Sequence, residues 1–203
     1  MSKGEKTKVF ILDTGLTLAG EHGLEGVSIG LLAKVTGMSK SGLFAHFNSK
    51  ENLQLAILSY AAEDFLQQVI VPATKVTRGI PRILALVDNW VSWSDNMSGG
   101  CIFASAGTEF SERPGKVRDL LFKQQQLWLN SIVRVAESAI SENYFNDKAD
   151  LDQFAFELYS FLLGINSYRQ MLHDPEIEIK KEKALLSLLS RYVKPEVKLE
   201  NYL

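Results

Sequence analysis

The chain has 203 residues, 46% of them hydrophobic, with a single cysteine and a formal net charge of −2 at pH 7. The single cysteine excludes an intrachain disulfide, and no uncharged apolar stretch approaches the roughly 20 residues that span a bilayer. These features indicate a soluble, cytoplasmic protein without a membrane partner. Because the overall charge is slightly negative, any surface for a polyanion has to be small and local.

The first fifty residues carry signals for three helices separated by turns. Ser28 and Ser39 are predicted N-caps, since a serine hydroxyl can accept a hydrogen bond from one of the free N–H groups of a helix. Gly37 lies between them, where a tight turn with positive φ favours glycine. Helices are therefore predicted over residues 6–20, 29–36 and 40–47.

A fourth, longer helix is predicted to begin within the segment NSKENL. Asn48 is its predicted N-cap, and Glu51, three residues later, would complete a capping box. Pro72 is expected to end this helix at about Val71, because the residue before a proline disfavours the helical conformation.

The rest of the chain also has apolar residues at helical spacing, interrupted by glycine- and proline-containing loops. Helices are predicted over residues 80–96, 101–110, 116–142, 149–172 and 174–193. The pattern predicts an all-α protein, with a small N-terminal unit over residues 1–52 and a larger helical unit over residues 53–203.

Ile29, Ala33, Gly37 and Leu43 have the spacing of a helix-turn-helix. Alanine is small where a second helix crosses closely, glycine suits the turn, and leucine seals the pair against a first helix. The spacing alone is also compatible with a helical hairpin that ends in a solvated polar tip.

The third predicted helix begins with Lys40, Ser41 and Gly42. In a helix-turn-helix protein, the N-terminal residues of this recognition helix meet base edges in the major groove. Lysine reaches guanine or a phosphate, serine bonds to either, and glycine permits close approach. These three residues are therefore candidates for reading DNA.

Residues 11–58 resemble the TetR family of bacterial transcriptional regulators, most densely in SKSGLFAHFNSKENL, where the family has the form SKGxLYxHFxSKExL. The resemblance implies a DNA-binding domain over residues 1–52 and a ligand-binding and dimerisation domain over residues 53–203. It also implies a homodimeric repressor that binds a palindromic operator in double-stranded DNA and is released by a small-molecule inducer. The implied DNA-binding residues are Ser28, Ser39, Lys40, Ser41, Gly42, Phe44, His46 and Lys50.

Three positions depart from the family pattern. Phe44 stands where tyrosine is usual, so it lacks a hydroxyl that commonly touches phosphate. Gly15 stands where alanine is common, which is expected to cost the first helix up to about 1 kcal/mol. Gly30 replaces a residue that is usually longer and polar. Fewer phosphate contacts than usual are therefore expected, and His46 has the alternative of a surface histidine without a partner.

Two C-terminal segments carry apolar residues at three- and four-residue spacing. Such stripes are usually core faces. The first segment, however, has apolar residues around much of its circumference. The resemblance implies that these two helices, together with the same two helices of a second copy, form a four-helix dimer interface. The candidate dimerisation residues are Phe154, Leu158, Phe161, Leu162, Ile165, Leu185, Leu188, Leu189 and Tyr192.

The resemblance also implies an inducer pocket in the C-terminal unit, and aromatic enrichment there suits an apolar or aromatic ligand. For each aromatic residue the alternative is an ordinary place in the core. The candidate ligand-binding residues are Trp90, Trp93, Cys101, Phe103, Phe110, Trp128 and Tyr159.

Other function classes have weaker support in the sequence. The three histidines are scattered, and no nucleophile–base pair or phosphate-binding loop is present, so no catalytic residue, metal or cofactor is expected. An all-α enzyme is therefore disfavoured. An interaction module that has lost DNA binding is a further alternative, because Phe44 lacks the usual hydroxyl and the basic charge is weak.

Cys101 follows two glycines near the predicted start of a short helix, where the helix dipole lowers a thiol pKa. Its surroundings resemble one subgroup of the family, some of whose members sense electrophiles or oxidants. The alternatives are a redox- or electrophile-responsive regulator that acts through Cys101, and a buried small apolar residue.

Overall fold

The computed structural model describes residues 3–202, with the side chain of Lys3 excepted. Over this part of the chain the backbone forms ten α-helices, two π-helical turns and one 3₁₀ turn, and its only β pairing is an isolated bridge between Phe145 and Val193. The predicted all-α class is confirmed. The helices are α1 (Lys3–His22), α2 (Ile29–Thr36), α3 (Lys40–Phe47), α4 (Lys50–Phe65), α5 (Val71–Lys75), α6 (Ile80–Asp95), α7 (Ile102–Phe110), α8 (Lys116–Ser141), α9 (Leu151–Ser167) and α10 (Ile177–Ser190).

The cap predicted for α4 is wrong by one residue. Asn48 has φ of 60° and closes α3, with its backbone N–H donating to the Phe44 carbonyl at 2.7 Å. Asparagine tolerates this left-handed conformation at a helix C-terminus. Ser49 instead caps α4, because its Oγ accepts from the Asn52 N–H at 3.0 Å.

The predicted end of α4 at Pro72 is also wrong. The α-helix ends at Phe65, a π-helical turn covers Leu66–Ile70, and Pro72 lies in the first turn of α5. A proline in the first turn of a helix needs no partner for a backbone N–H, so it starts this helix instead of ending one. The Val69 carbonyl in the π-helical turn accepts a hydrogen bond from the Asn89 side chain at 3.2 Å.

The helices that contain the helix-turn-helix belong to a first compact unit, made of residues up to 65 together with residues 96–125. Its fully buried side chains include Ile11, Leu24, Leu32, Leu43, Leu53 and Ile57. Burying each such aliphatic side chain contributes about 1.5–3 kcal/mol relative to exposure.

Gly15 has a packing role within the first unit. A Cβ at this position would lie 2.8 Å from Cδ1 of Ile57, which is fully buried on α4. The missing side chain therefore lets α1 approach α4 closely. This close approach is a packing reason for glycine at a position where its helix propensity is unfavourable.

The second compact unit comprises residues 66–95 and 126 onward. The rings of Phe145, Phe154 and Tyr192 form a mutually packed cluster, with centroids 5.0–5.8 Å apart. Buried Ser94 on α6 donates to the Asn166 side chain on α9 at 2.9 Å. None of the helices within residues 3–202 is both long and apolar enough to cross a membrane. The division into functional domains at residue 52 stays a prediction.

Candidate DNA-binding surface

The ends of α2 and α3 are defined by the predicted side chains. Ser28 Oγ accepts from the Leu31 N–H at 3.1 Å, and Ser39 Oγ accepts from the Gly42 N–H at 3.1 Å. Gly37 has φ of 69°, the left-handed conformation that glycine adopts without strain. Both serine caps and the glycine turn are confirmed as local structure.

The buried side chains of α3 set its rotation about its own axis. Leu43 is fully buried and Phe47 is 6% exposed, so this side of the helix packs inward. The opposite side leaves Ser41, Phe44 and Ala45 exposed, and Phe44 is 54% exposed. The start of α3 therefore presents both polar and apolar groups outward.

The end of the Lys40 side chain lies over the first turn of α2. Its Cε and Nζ atoms are 3.7 and 3.8 Å from the point where a Cβ on Gly30 would be, and Ser28 Oγ is 3.8 Å from the same point. The glycine thus leaves room for an ammonium group beside the N-terminus of α2. Lysine, a serine hydroxyl and free helix N–H groups are a combination suited to a phosphate.

Lys50 is held by an ion pair that the sequence did not reveal. Its Nζ lies 2.8 Å from Glu25 Oε1, while the Gln54 amide donates to Glu25 Oε2 at 3.2 Å and Arg113 lies 3.5 Å from that oxygen. The hydrogen bond from Lys50 is the largest influence that lowers the pKa of the Glu25 carboxyl. Glu25 therefore stays ionised at neutral pH and holds the Lys50 ammonium, and a contact between Lys50 and DNA stays a prediction.

A second carboxylate holds the turn that precedes α2. The two oxygens of Glu109 on α7 accept from the backbone N–H groups of Leu24 and Glu25, each at 2.9 Å. Gly23 has φ of 74°, and a Cβ there would lie 2.9 Å from Glu109 Oε1. Sequence reasoning missed this contact, because its partners lie 84 and 85 residues apart and share no local motif.

His46 is exposed on the last turn of α3, and its ring centroid lies 6.3 Å from that of Phe47. The structure thus leaves the imidazole accessible to a phosphate. A contact with DNA through His46 stays a prediction.

The candidate ligand-binding residues are divided between the two compact units. Cys101, Phe103 and Phe110 belong to the first unit, whereas Trp90, Trp93, Trp128 and Tyr159 belong to the second. All except the half-buried Tyr159 are less than a tenth exposed. A role of these residues in ligand binding stays a prediction.

The expected lowering of the Cys101 pKa is wrong. The thiol is 5% exposed, and burial raises its pKa from 9.0 to about 11, outweighing the hydrogen bonds from backbone N–H groups at the start of α7. The thiolate is the reactive form of cysteine. The structure thus gives Cys101 the properties of a protected core thiol.

The nine candidate dimerisation residues lie mostly in the interior of the single chain. All except the partly exposed Phe161 are less than a tenth exposed. The large apolar side chains that the C-terminal helices and the adjoining turn leave exposed are different ones, including Phe156, Met171 and Ile179. The apolar stripe is therefore chiefly a core face of the second unit.

Comparison with known proteins gives matches over both parts of the chain. A profile described as "Bacterial regulatory proteins, tetR family" matches residues 11–57, and one described as "Tetracyclin repressor-like, C-terminal domain" matches residues 79–184, which is more than half of the chain. The HTH-type transcriptional repressor AcnR of Corynebacterium glutamicum is 43% identical over 47 residues, which is 23% of this chain and 25% of AcnR. The chain thus matches only about a quarter of that relative's length.

Solved structures share the fold over nearly the whole chain. A TetR transcriptional regulator from Chloroflexus aurantiacus has 22% identity and a TM-score of 0.83, with 96% of this chain and 100% of that chain covered. AibR, determined in complex with isovaleryl coenzyme A and operator DNA, has 20% identity and a TM-score of 0.69, with coverages of 91% and 96%.

Proposed function

Since the chain belongs to the TetR family of bacterial regulatory proteins, which are DNA-binding transcription regulators, we propose that it is a repressor that binds a palindromic operator as a homodimer and is released by a small apolar or aromatic inducer. AcnR, similar over the N-terminal helices, is a repressor. AibR, similar in fold, was determined with both an acyl coenzyme A and operator DNA.

The observation that carries operator binding is the exposed start of α3. Ser39 caps this helix, and Leu43 and Phe47 pack its inner side into the core. Lys40, Ser41 and the rest of the outward side of α3 therefore face solvent, and the cap and the packing hold the helix in place. A recognition helix needs this arrangement to enter a major groove with its side chains already ordered. Ser28, Gly30 and Lys40 provide an adjacent place for a phosphate.

Homodimerisation is supported by apolar side chains that the single chain leaves uncovered. Phe156 on α9 is 64% exposed, Met171 in the following turn 78%, and Ile179 on α10 54%. We propose that these residues, more than the buried stripe, contact a second copy. A two-fold dimer would place two recognition helices in successive major grooves, about 34–36 Å apart.

Release by an inducer requires that the ligand bind the non-operator conformation more tightly than the operator-bound one. The interior of the second unit holds three tryptophans and the phenylalanines Phe145 and Phe154. A cavity opened among such side chains would favour an apolar or aromatic ligand. Because the Cys101 thiol is buried and its pKa is raised, the structure favours a bound ligand over oxidation as the signal.

A salt-dependent gel shift with the DNA upstream of the chain's own gene tests operator binding. Wild type is expected to bind specifically, with an affinity that falls as salt rises. Lys40→Ala is expected to weaken binding and reduce the salt slope by about one unit per phosphate contact. Lys148→Ala removes an exposed lysine in the second unit and is the matched control. A wild-type protein without site preference at any salt concentration would refute the repressor proposal.

Light scattering on Phe156→Glu tests the dimer surface. We expect this variant to be monomeric at concentrations where wild type is a dimer, because a carboxylate in an apolar interface loses its hydration. Phe122→Glu is the matched control, since Phe122 on α8 is 66% exposed and lies outside α9 and α10. If both variants remain dimeric, the proposed surface is wrong.

A further inference from the structure

The outward side of α3 is apolar at its centre. Phe44 is 54% exposed and Ala45 beside it is also exposed, whereas the polar residues of the helix lie at its first and last turns. A phenyl ring held at the surface loses the stabilisation that burial would give it. On a helix that enters a major groove, such a ring has an apolar partner available in the DNA.

The polar groups at the start of α3 are exposed and lie beside other polar groups of the same chain. Ser39 Oγ accepts from the Gly42 N–H, and Ser41 Oγ donates to Ser39 Oγ at 3.4 Å. The Lys40 ammonium lies over Gly30, beside the N-terminus of α2. Ser39 thus caps the helix and Lys40 lies where a phosphate would bind, while Phe44 and Ala45, the exposed residues at the centre of the outward side, are apolar.

We propose that Phe44, with Ala45 beside it, is a specificity-determining residue that contacts the C5-methyl group of a thymine. This inference rests on the proposed operator binding. In the major groove, the thymine methyl is the apolar feature of the base-pair edges, and phenylalanine and alanine side chains contact it. A phenyl ring has no hydroxyl to bind a phosphate, so its contribution has to come from an apolar contact.

The thymine methyl can be removed without changing anything else in the DNA. A duplex that full-length wild type selects from a random-sequence pool provides the probe, and each thymine of its half-sites is replaced in turn by deoxyuridine. Dissociation constants are measured by fluorescence anisotropy at one salt concentration. Substitution at one thymine in both half-sites is expected to weaken wild-type binding about 15-fold, which is about four-fold for each lost methyl contact.

The same substitutions in two variants assign the effect to Phe44. In Phe44→Ala, the thymine and deoxyuridine duplexes are expected to bind equally, because the ring that senses the methyl is gone. Phe10→Ala removes a ring on α1 that is 52% exposed, and is expected to keep the full wild-type difference. Both substitutions are at the surface, and far-UV circular dichroism checks that the helices remain.

The possible failures are distinguishable. If wild type selects no duplex, the proposed operator binding fails and this inference fails with it. If wild type selects a duplex but no deoxyuridine substitution weakens binding, operator binding stands and the thymine contact is wrong. If Phe44→Ala weakens binding yet keeps the wild-type sensitivity to deoxyuridine, another residue reads the methyl and the ring packs elsewhere, for example on a sugar.

Discussion

The carboxylate of Glu109 is expected to fix the turn that orients α2. Its two hydrogen bonds to consecutive backbone N–H groups are 2.9 Å long, and the group is half-buried on α7. A hydrogen bond to a charged group contributes about 1.5–3 kcal/mol, and solvent contact favours the lower end. Glu109→Ala should therefore lower the free energy of unfolding by about 3 kcal/mol.

Glu109→Gln separates charge from shape. The amide keeps one acceptor oxygen but turns an NH₂ group toward the second N–H, so about half of the effect, about 1.5 kcal/mol, is expected. Glu112→Gln removes a charge from an exposed carboxylate just after α7 and is the matched control. For a chain of this size, 1 kcal/mol corresponds to about 2–4 °C in melting temperature.

Urea unfolding followed by far-UV circular dichroism is the appropriate measurement. Trp90, Trp93 and Trp128 all lie in the second unit, so tryptophan fluorescence would not report directly on the turn that Glu109 holds. The expected order of stability is wild type and Glu112→Gln together, then Glu109→Gln, then Glu109→Ala. If Glu109→Gln and Glu112→Gln unfold at the same urea concentration, the carboxylate does not stabilise the turn.

Three further predictions follow from the packing and the site. Phe44→Tyr restores a phosphate-binding hydroxyl and is expected to tighten operator binding about ten-fold; an unchanged dissociation constant would mean that the residue acts only through its ring. Gly15→Ala crowds Ile57, so its cost in unfolding free energy should be smaller when Ile57→Val removes Cδ1, the nearer of the two crowded atoms, in the double variant; additive effects would contradict the packing explanation. Burial keeps the Cys101 thiol neutral in the folded protein up to its raised pKa of about 11, whereas the unfolded chain loses this proton nearer pH 9. The contribution of this thiol to the free energy of unfolding is therefore complete below pH 9 and is lost as pH rises toward about 11. Cys101→Ala should flatten that alkaline loss in unfolding experiments, and a slope equal to that of wild type would contradict the assignment.

The parts of the fold that the sequence predicted well are determined by local interactions. The caps at Ser28 and Ser39 and the turn at Gly37 each involve partners within three residues, so their signals are present in a short stretch of sequence. At Asn48 and Ser49, two adjacent residues can both cap a helix. The sequence could not show that closing α3 would place asparagine in the left-handed conformation and leave the cap to serine.

The candidate site was less predictable where distant residues meet. Glu25 and Glu109 are ordinary acidic residues in the sequence, and their contacts become visible only when α7 packs in the same unit as α1–α4. A similar reason applies to the C-terminal stripe. Its spacing shows which side of α9 is apolar, but whether the same chain or a second copy covers that side depends on tertiary packing.

These long-range contacts bear on how DNA binding could be switched. The side chains that contact the turn before α2 are Glu109 from α7, Arg113 after α7 and Lys50 from α4, all within the first unit. A displacement of α7 would have to break two charge-assisted hydrogen bonds or move the turn with it. Moving the turn would shift the start of α2, where Ser28 and Lys40 form the proposed phosphate site. A ligand therefore need not touch the recognition helix to change operator affinity. It has only to favour a conformation in which α7 is displaced, by a binding free energy comparable to the hydrogen bonds that Glu109 makes.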